Sequence, residues 1–157
     1  MEFDVKIKFS HIYDYMINHV YSSAQGLLGT AVGALLIVMY TMNTEYIIAL
    51  IFGIVIILYL PGSLYLKAKK QALNPVYKNP LHYRMDDEGM HVSQGEVEQM
   101  IDWDSMYKAV STKTSIILYT SRINASIFPR ECLDDKLTEL IATISTHMDP
   151  KKVKIRY

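Results

Sequence analysis

The sequence predicts an α+β membrane protein, in which an apolar two-helix hairpin is joined to a small β-rich domain closed by a helix. Three observations carry this reading. The chain of 157 residues is 50 % hydrophobic and 20 % charged, yet between Asp14 and Lys67 the only formally charged side chain is Glu45. Beyond residue 80, short apolar runs alternate with turn-forming residues, which is the pattern of a sheet. After those runs, Leu137, Leu140, Ile141 and Ile144 recur at helical spacing.

The hairpin comes from Gly26–Met42 and Tyr46–Leu66, both uncharged. A helix rises about 1.5 Å per residue and a hydrocarbon core is about 30 Å thick, so each stretch is long enough to span it. In lipid, such a segment satisfies its backbone groups only as a helix. The link Asn43-Thr44-Glu45 allows only a tight antiparallel turn. Lys67, Lys69 and Lys70 follow the second stretch and Lys6 and Lys8 precede the first, so the positive-inside bias puts both termini in the cytoplasm. Gly29 and Gly33 form a GxxxG step, open either to the second helix near Gly53 or to another copy in a homodimer. Pro61-Gly62 is expected to kink or end the second helix. Tyr40, Tyr46, Tyr59 and Tyr65 sit where an aromatic belt would lie. No ionisable group lies at mid-span, which argues against a pump or channel. The N-terminus lacks the basic start and short apolar run of a signal peptide.

The β-rich domain is expected over residues 81–148, with strands at Leu81–Asp86, Met90–Ser93, Val97–Ile101, Met106–Ser111, Ser115–Thr120 and Ile123–Phe128. Gly89 and Gly95 fit hairpin positions that need positive φ. Turns at this spacing suggest a small barrel or sandwich, with an amphipathic helix of about 15 residues after it. Phe3, Val5, Ile7 and Phe9 alternate with charged residues, so residues 3–9 read as a strand able to complete the same sheet. The parts are then residues 1–22 (strand and lead-in helix), 23–70 (hairpin), 81–148 (β domain) and 149–157 (a basic tail).

No residue pattern points to catalysis. The single cysteine, Cys132, excludes an internal disulfide or a cysteine metal cluster. The histidines have no metal-ligand spacing; His82 and His91 face each other at most across one hairpin. A net charge of zero and the lack of a basic-aromatic module argue against nucleic acid. No catalytic, cofactor or metal residues are therefore assigned. The interaction candidates are Trp103, Arg130, Lys67, Lys69, Lys70, Lys151 and Lys152. Trp103 is either a surface anchor or a core residue closing the domain. Arg130, after Pro129, either pairs with an anionic headgroup or caps local structure. The lysine groups either contact anionic lipid or set topology and form a solvated tail.

The order of parts, with Asp14-Tyr15 before the spans, Asp87-Glu88-Gly89-Met90 after a strand, Ile101-Asp102-Trp103, and Ile127-Phe128-Pro129-Arg130 before the last helix, resembles the YcxB-like family of small bacterial membrane proteins. The resemblance implies a pleckstrin-homology-like domain, a bent sheet or barrel capped by a C-terminal helix. It brings no catalytic residues. The expected function is a non-catalytic, membrane-anchored module that binds a protein partner or anionic lipid at the cytoplasmic face of the bacterial cell membrane. The alternatives are an immunity or resistance protein against a membrane-active bacteriocin or toxin, and an enzyme acting on lipid headgroups.

Overall fold

The computed structural model describes residues 1–156. It divides into two compact units, Met1–Ile12 with Ala72–Tyr157, and Tyr13–Gln71.

The first unit holds two four-stranded sheets. In one, β1 (Glu2–Val5), β2 (Leu81–Met85), β3 (Gly89–Gln94) and β4 (Val97–Asp102) are antiparallel neighbours in that order. In the other the order is β7-β6-β5-β8, from β5 (Lys108–Ser111), β6 (Ser115–Tyr119), β7 (Ala125–Pro129) and β8 (Val153–Lys154). No closed barrel forms among the described residues; the sheets stay separate hydrogen-bonded sets. The expected alternation over residues 3–9 buries Phe3, Val5 and Ile7, but the ladder ends at Val5 because Phe9 already starts a helix.

The turn between β2 and β3 is built by Asp86, whose Oδ1 accepts from the amides of Glu88 (3.1 Å) and Gly89 (3.2 Å). Gly89 is there for space and not for a positive φ. A Cβ at Gly89 would run into the carbonyl oxygen of Ile101, its neighbour on β4. Only Gly95, at φ 61°, has the left-handed backbone expected of both glycines.

The core of this unit gathers Phe3, Tyr83 and Phe128. Phe3 stacks on Tyr83 at 5.8 Å, and the Phe128 ring meets Tyr83 edge-on at 4.9 Å and Phe3 at 5.7 Å. All five residues of β6 are buried, so both faces of that strand are covered. The C-terminal helix α4 (Leu137–His147) buries Leu140, Ile141 and Ile144 as its spacing requires. It is shorter than expected because the preceding residues Asp134–Lys136 form a 3-10 turn. The C-terminal segment is no solvated tail: Pro150–Lys152 is a 3-10 turn and β8 joins β5 in parallel, Val110 opposite Lys154.

The second unit contains most of α1 (Phe9–Tyr21), then α2 (Ala24–Met42) and α3 (Ile47–Ala72). Ser23 caps α2 by accepting from the Gly26 amide at 3.2 Å. Asn43 Oδ1 accepts from the Glu45 amide at 2.9 Å and fixes the link between α2 and α3. Helix α3 runs through Pro61 and is not ended by it. The helices meet where neither has a side chain. A Cβ on Gly53 would lie 2.7 Å from the Gly33 carbonyl oxygen, and one on Gly33 would lie 2.8 Å from Ile57 Cγ1. Gly29 faces Leu60 at 3.4 Å. Both helices are long and apolar enough to cross a membrane, and only 11 % of either apolar window is buried within the structure. Leu27, Leu28, Leu35, Ile48, Ile51, Phe52 and Leu58 are exposed.

Gly53→Leu should therefore destabilise the helical hairpin by about 1–3 kcal/mol through overpacking. Gly62→Ala, with nothing within 4 Å of its Cβ, should leave it unchanged or gain up to about 1 kcal/mol from helix propensity. Phe128→Ala should cost the β unit about 3–5 kcal/mol. Denaturant titration of the full chain in detergent, followed by circular dichroism and tryptophan fluorescence, checks all three.

Candidate interaction sites

Trp103 is not a surface anchor. It begins the 3-10 turn Trp103–Ser105 after β4 and is 6 % exposed. Its indole N–H donates to the Asp86 carbonyl at 2.8 Å, and its ring stacks on His147 of α4 at 5.0 Å between centroids. The tryptophan thus joins the β2–β3 turn to the C-terminal helix. His147 is held in place in turn, with Nδ1 2.9 Å from the Thr143 carbonyl and Nε2 3.2 Å from Asp87 Oδ1.

The two lysine groups differ in what holds them. Lys67, Lys69 and Lys70 are exposed at the end of α3, where cations complement the helix dipole. Lys151 is exposed, whereas the Lys152 ammonium donates to the Met106 carbonyl at 3.0 Å. Lys152 is therefore structural and not a free contact group.

His82 and His91 are not opposite each other: His82 pairs with Ser93 across the ladder and His91 with Arg84. His82 Nδ1 is 2.8 Å from Asp4 Oδ1 on β1. His91 sits among Arg84 Nη2 (3.2 Å), Asp86 Oδ2 (3.1 Å) and Glu98 Oε1 (3.4 Å). Its Nε2 is close to Asp86 but off the line of a hydrogen bond. Among the described residues no group of three His, Cys, Asp or Glu side chains is placed to hold a metal ion.

Two of the concave features on the β unit bear on binding. One is a cleft of about 430 Å³ where the inner face of the first sheet diverges from β7, lined by Leu81, Tyr83, Val92, Val97, Ile127 and Ile7 with a few polar groups. Burial pushes the Tyr83 phenol up to about 12, partly offset by its hydrogen bond to Ser126, so it stays neutral in the cleft wall.

The other is basic, and it joins Arg130 to Arg156 of the basic tail and to Ser111 and Lys113, which the sequence did not mark. Ser111 ends β5, Lys113 lies in the β5–β6 turn, Arg130 follows β7 and Arg156 follows β8, and these side chains line one depression. The local bonding is specific. Arg156 N–H donates to Ser111 Oγ at 2.8 Å, the Arg130 amide donates to the Thr114 carbonyl at 2.8 Å, and Arg130 Nη2 donates to the Arg156 carbonyl at 3.2 Å. Arg130 Nε is buried with no hydrogen-bond partner among the described residues. The neighbouring carboxylate, Glu131, is engaged elsewhere, 2.7 Å from Lys8 Nζ and 3.3 Å from His11 Nε2.

These contacts set the acid response. The Lys8 hydrogen bond and charge hold Glu131 below its ordinary 4.5. Desolvation pushes Asp86 up, but the Gly89 and Glu88 amides and the charges of His91 and Arg84 outweigh it and hold it below 3.8. A lowered folded-state value means stability that is present above the ordinary value and lost as pH falls through the folded one. Glu131→Gln and Asp86→Asn should each lower the thermal midpoint at neutral pH. The gap from the wild type should close as pH drops below 4.5 and 3.8, respectively. Melting of the full chain across an acid pH series checks this.

The family model described as YcxB-like protein matches residues 86–144. Comparison with curated proteins and with solved structures returns no match. The matched stretch runs from the Asp86 turn into α4 and contains Asp87-Glu88-Gly89-Met90, Ile101-Asp102-Trp103 and Ile127-Phe128-Pro129-Arg130. Residues 86–144, the greater part of the β unit, are thus similar to the YcxB-like family.

Proposed function

We propose that this chain is a non-catalytic, membrane-anchored binding module. The apolar hairpin crosses the cytoplasmic membrane of a bacterium twice, and a pleckstrin-homology-like unit presents binding surfaces on the cytoplasmic side. The observation that carries this reading is the pairing of Val5 with Leu81. The chain leaves the sheet at one residue and returns at that residue's partner, so an excursion through a bilayer must cross it an even number of times. Two helices of spanning length, α2 and α3, lie in that excursion. Their exposed leucines, isoleucines and phenylalanine make a contiguous apolar surface that water disfavours and lipid accepts. The lysines flanking the hairpin against the lone Glu45 in its link favour the cytoplasmic side for both ends. The apolar cleft and the basic depression on the β unit supply recognition surfaces for a protein partner or an anionic lipid.

Single-cysteine chains in a Cys132→Ser background test the anchor. A membrane-impermeant maleimide should label Glu45→Cys in intact cells and Arg122→Cys, in the exposed β6–β7 turn, only after permeabilisation. The chain should stay with the membrane through alkaline carbonate. Release by carbonate, or equal labelling of both sites in intact cells, would overturn the topology. In-cell crosslinking should join residues of the β unit to a second protein or to lipid; crosslinks confined to copies of this chain would replace partner binding by self-association.

A further inference from the structure

We propose that the depression formed by Lys113, Arg130 and Arg156 is a binding site for a tetrahedral oxyanion of the phosphate class; the Ser111 hydroxyl, which donates to the Arg156 carbonyl at 3.3 Å, holds the site together and is not itself a ligand. Three cationic side chains line one surface, and none of them has a carboxylate within ion-pair distance among the described residues. Like charges gathered without a counter-charge repel one another and raise the local positive potential, and a bound anion relieves both effects. Glu131 does not serve as that counter-charge, because Lys8 and His11 already hold it.

The site is also built, not a chance meeting of surface lysines. Arg130 and Arg156 are fixed to each other through the Arg130 Nη2 bond to the Arg156 carbonyl, and Arg156 is fixed to Ser111 through its own amide. The bond to the carbonyl uses one donor of a guanidinium that has five, and Nε is buried and unpaired. Buried donors without partners are rare in native proteins and point to a group still to be bound. A planar guanidinium offers parallel N–H groups that match two oxygens of a phosphate, and a lysine adds a mobile point charge. The same chemistry is offered by a free phosphate ester and by a phospholipid headgroup. The inference rests on the chain being a binding module but does not need the membrane anchor.

The test uses the full chain with ¹⁵N-labelled arginine, first in neutral detergent and then in nanodiscs. Inorganic phosphate is titrated against chloride at constant ionic strength while the Nε–H resonances of Arg130 and Arg156 are followed. The expected result is a saturable shift of both resonances with phosphate, at least about tenfold weaker binding in Lys113→Gln and Arg130→Gln, and partial rescue by Arg130→Lys. Lys113 is an exposed turn residue, so Lys113→Gln keeps the test valid if Arg130→Gln fails to fold. A shift seen only in nanodiscs containing phosphatidylglycerol, and not in phosphatidylcholine alone, would also support the site and identify the source as a headgroup. No saturable shift in any arm, an equal shift with chloride, or binding insensitive to Lys113→Gln would overturn it. Saturable phosphate binding by a chain that carbonate strips from membranes would keep this site and discard the anchor; the converse would do the reverse.

Discussion

The pairing of β1 with β2 is the constraint on which the rest of the structure depends. It joins residues 2–5 to residues 81–84 in an antiparallel register, so the helical segment between them is an insertion into a sheet and not a leader in front of one. Phe3 reaches the core only through this pairing, where it completes the aromatic group with Tyr83 and Phe128. Because the contact spans the whole insertion, the entropy of closing that loop must be overcome before β1 can join the β2-β3-β4 strands. The tight Gly33–Gly53 approach and the short Asn43 turn shorten the effective loop by making α2 and α3 a preformed hairpin. Packing in one unit thereby lowers the cost of pairing in the other, through chain connection alone.

Features whose cause is local in sequence were legible before the structure. The apolar helices follow from absent charge, and the buried face of α4 from the spacing of Leu140, Ile141 and Ile144. The inward face of the N-terminal segment follows from the alternation of Phe3, Val5 and Ile7. The errors fall where a distant partner decides. Trp103 reads as either anchor or core until His147 and the Asp86 carbonyl are beside it. Gly89 looks like a turn glycine, but its requirement comes from the Ile101 carbonyl one strand away. Strand β8 is too short to show a period, and it exists because β5 offers a free parallel edge. Of the basic depression, Arg130 carried a sequence signal of its own and Arg156 only its place in the basic tail, while Lys113 carried none. Lys113 and Arg156 join it through the β6–β7 register, in which Ser115 opposes Pro129, and the β5–β8 register, in which Val110 opposes Lys154.

The β unit also separates its charges by use. Several of its acidic groups are spent on structure: Asp86 on two amides, Glu131 on Lys8, and Asp4 on His82. Exposed pairs of this kind contribute little each, because water screens them. Their larger consequence is positional, since they engage Lys8, His11 and His82, while among the described residues the cations at one end of the second sheet have no carboxylate within ion-pair distance.

That end of the sheet is where strand pairing and charge meet. Arg156 contributes its backbone to three bonds, donating its amide to Ser111 and accepting from Arg130 and from the Ser111 hydroxyl, and all require β8 to be seated on β5. A parallel pair only two residues long is a weak hold, so the segment after it depends on those side-chain bonds as much as on the ladder. An anion gripped by Arg130, Lys113 and Arg156 together would add a contact that exists only when β8 is in place. By linkage, seating the strand then tightens the anion and the anion seats the strand. The short C-terminal strand, which has no sequence pattern of its own, is thus the element whose order the basic depression both needs and supports.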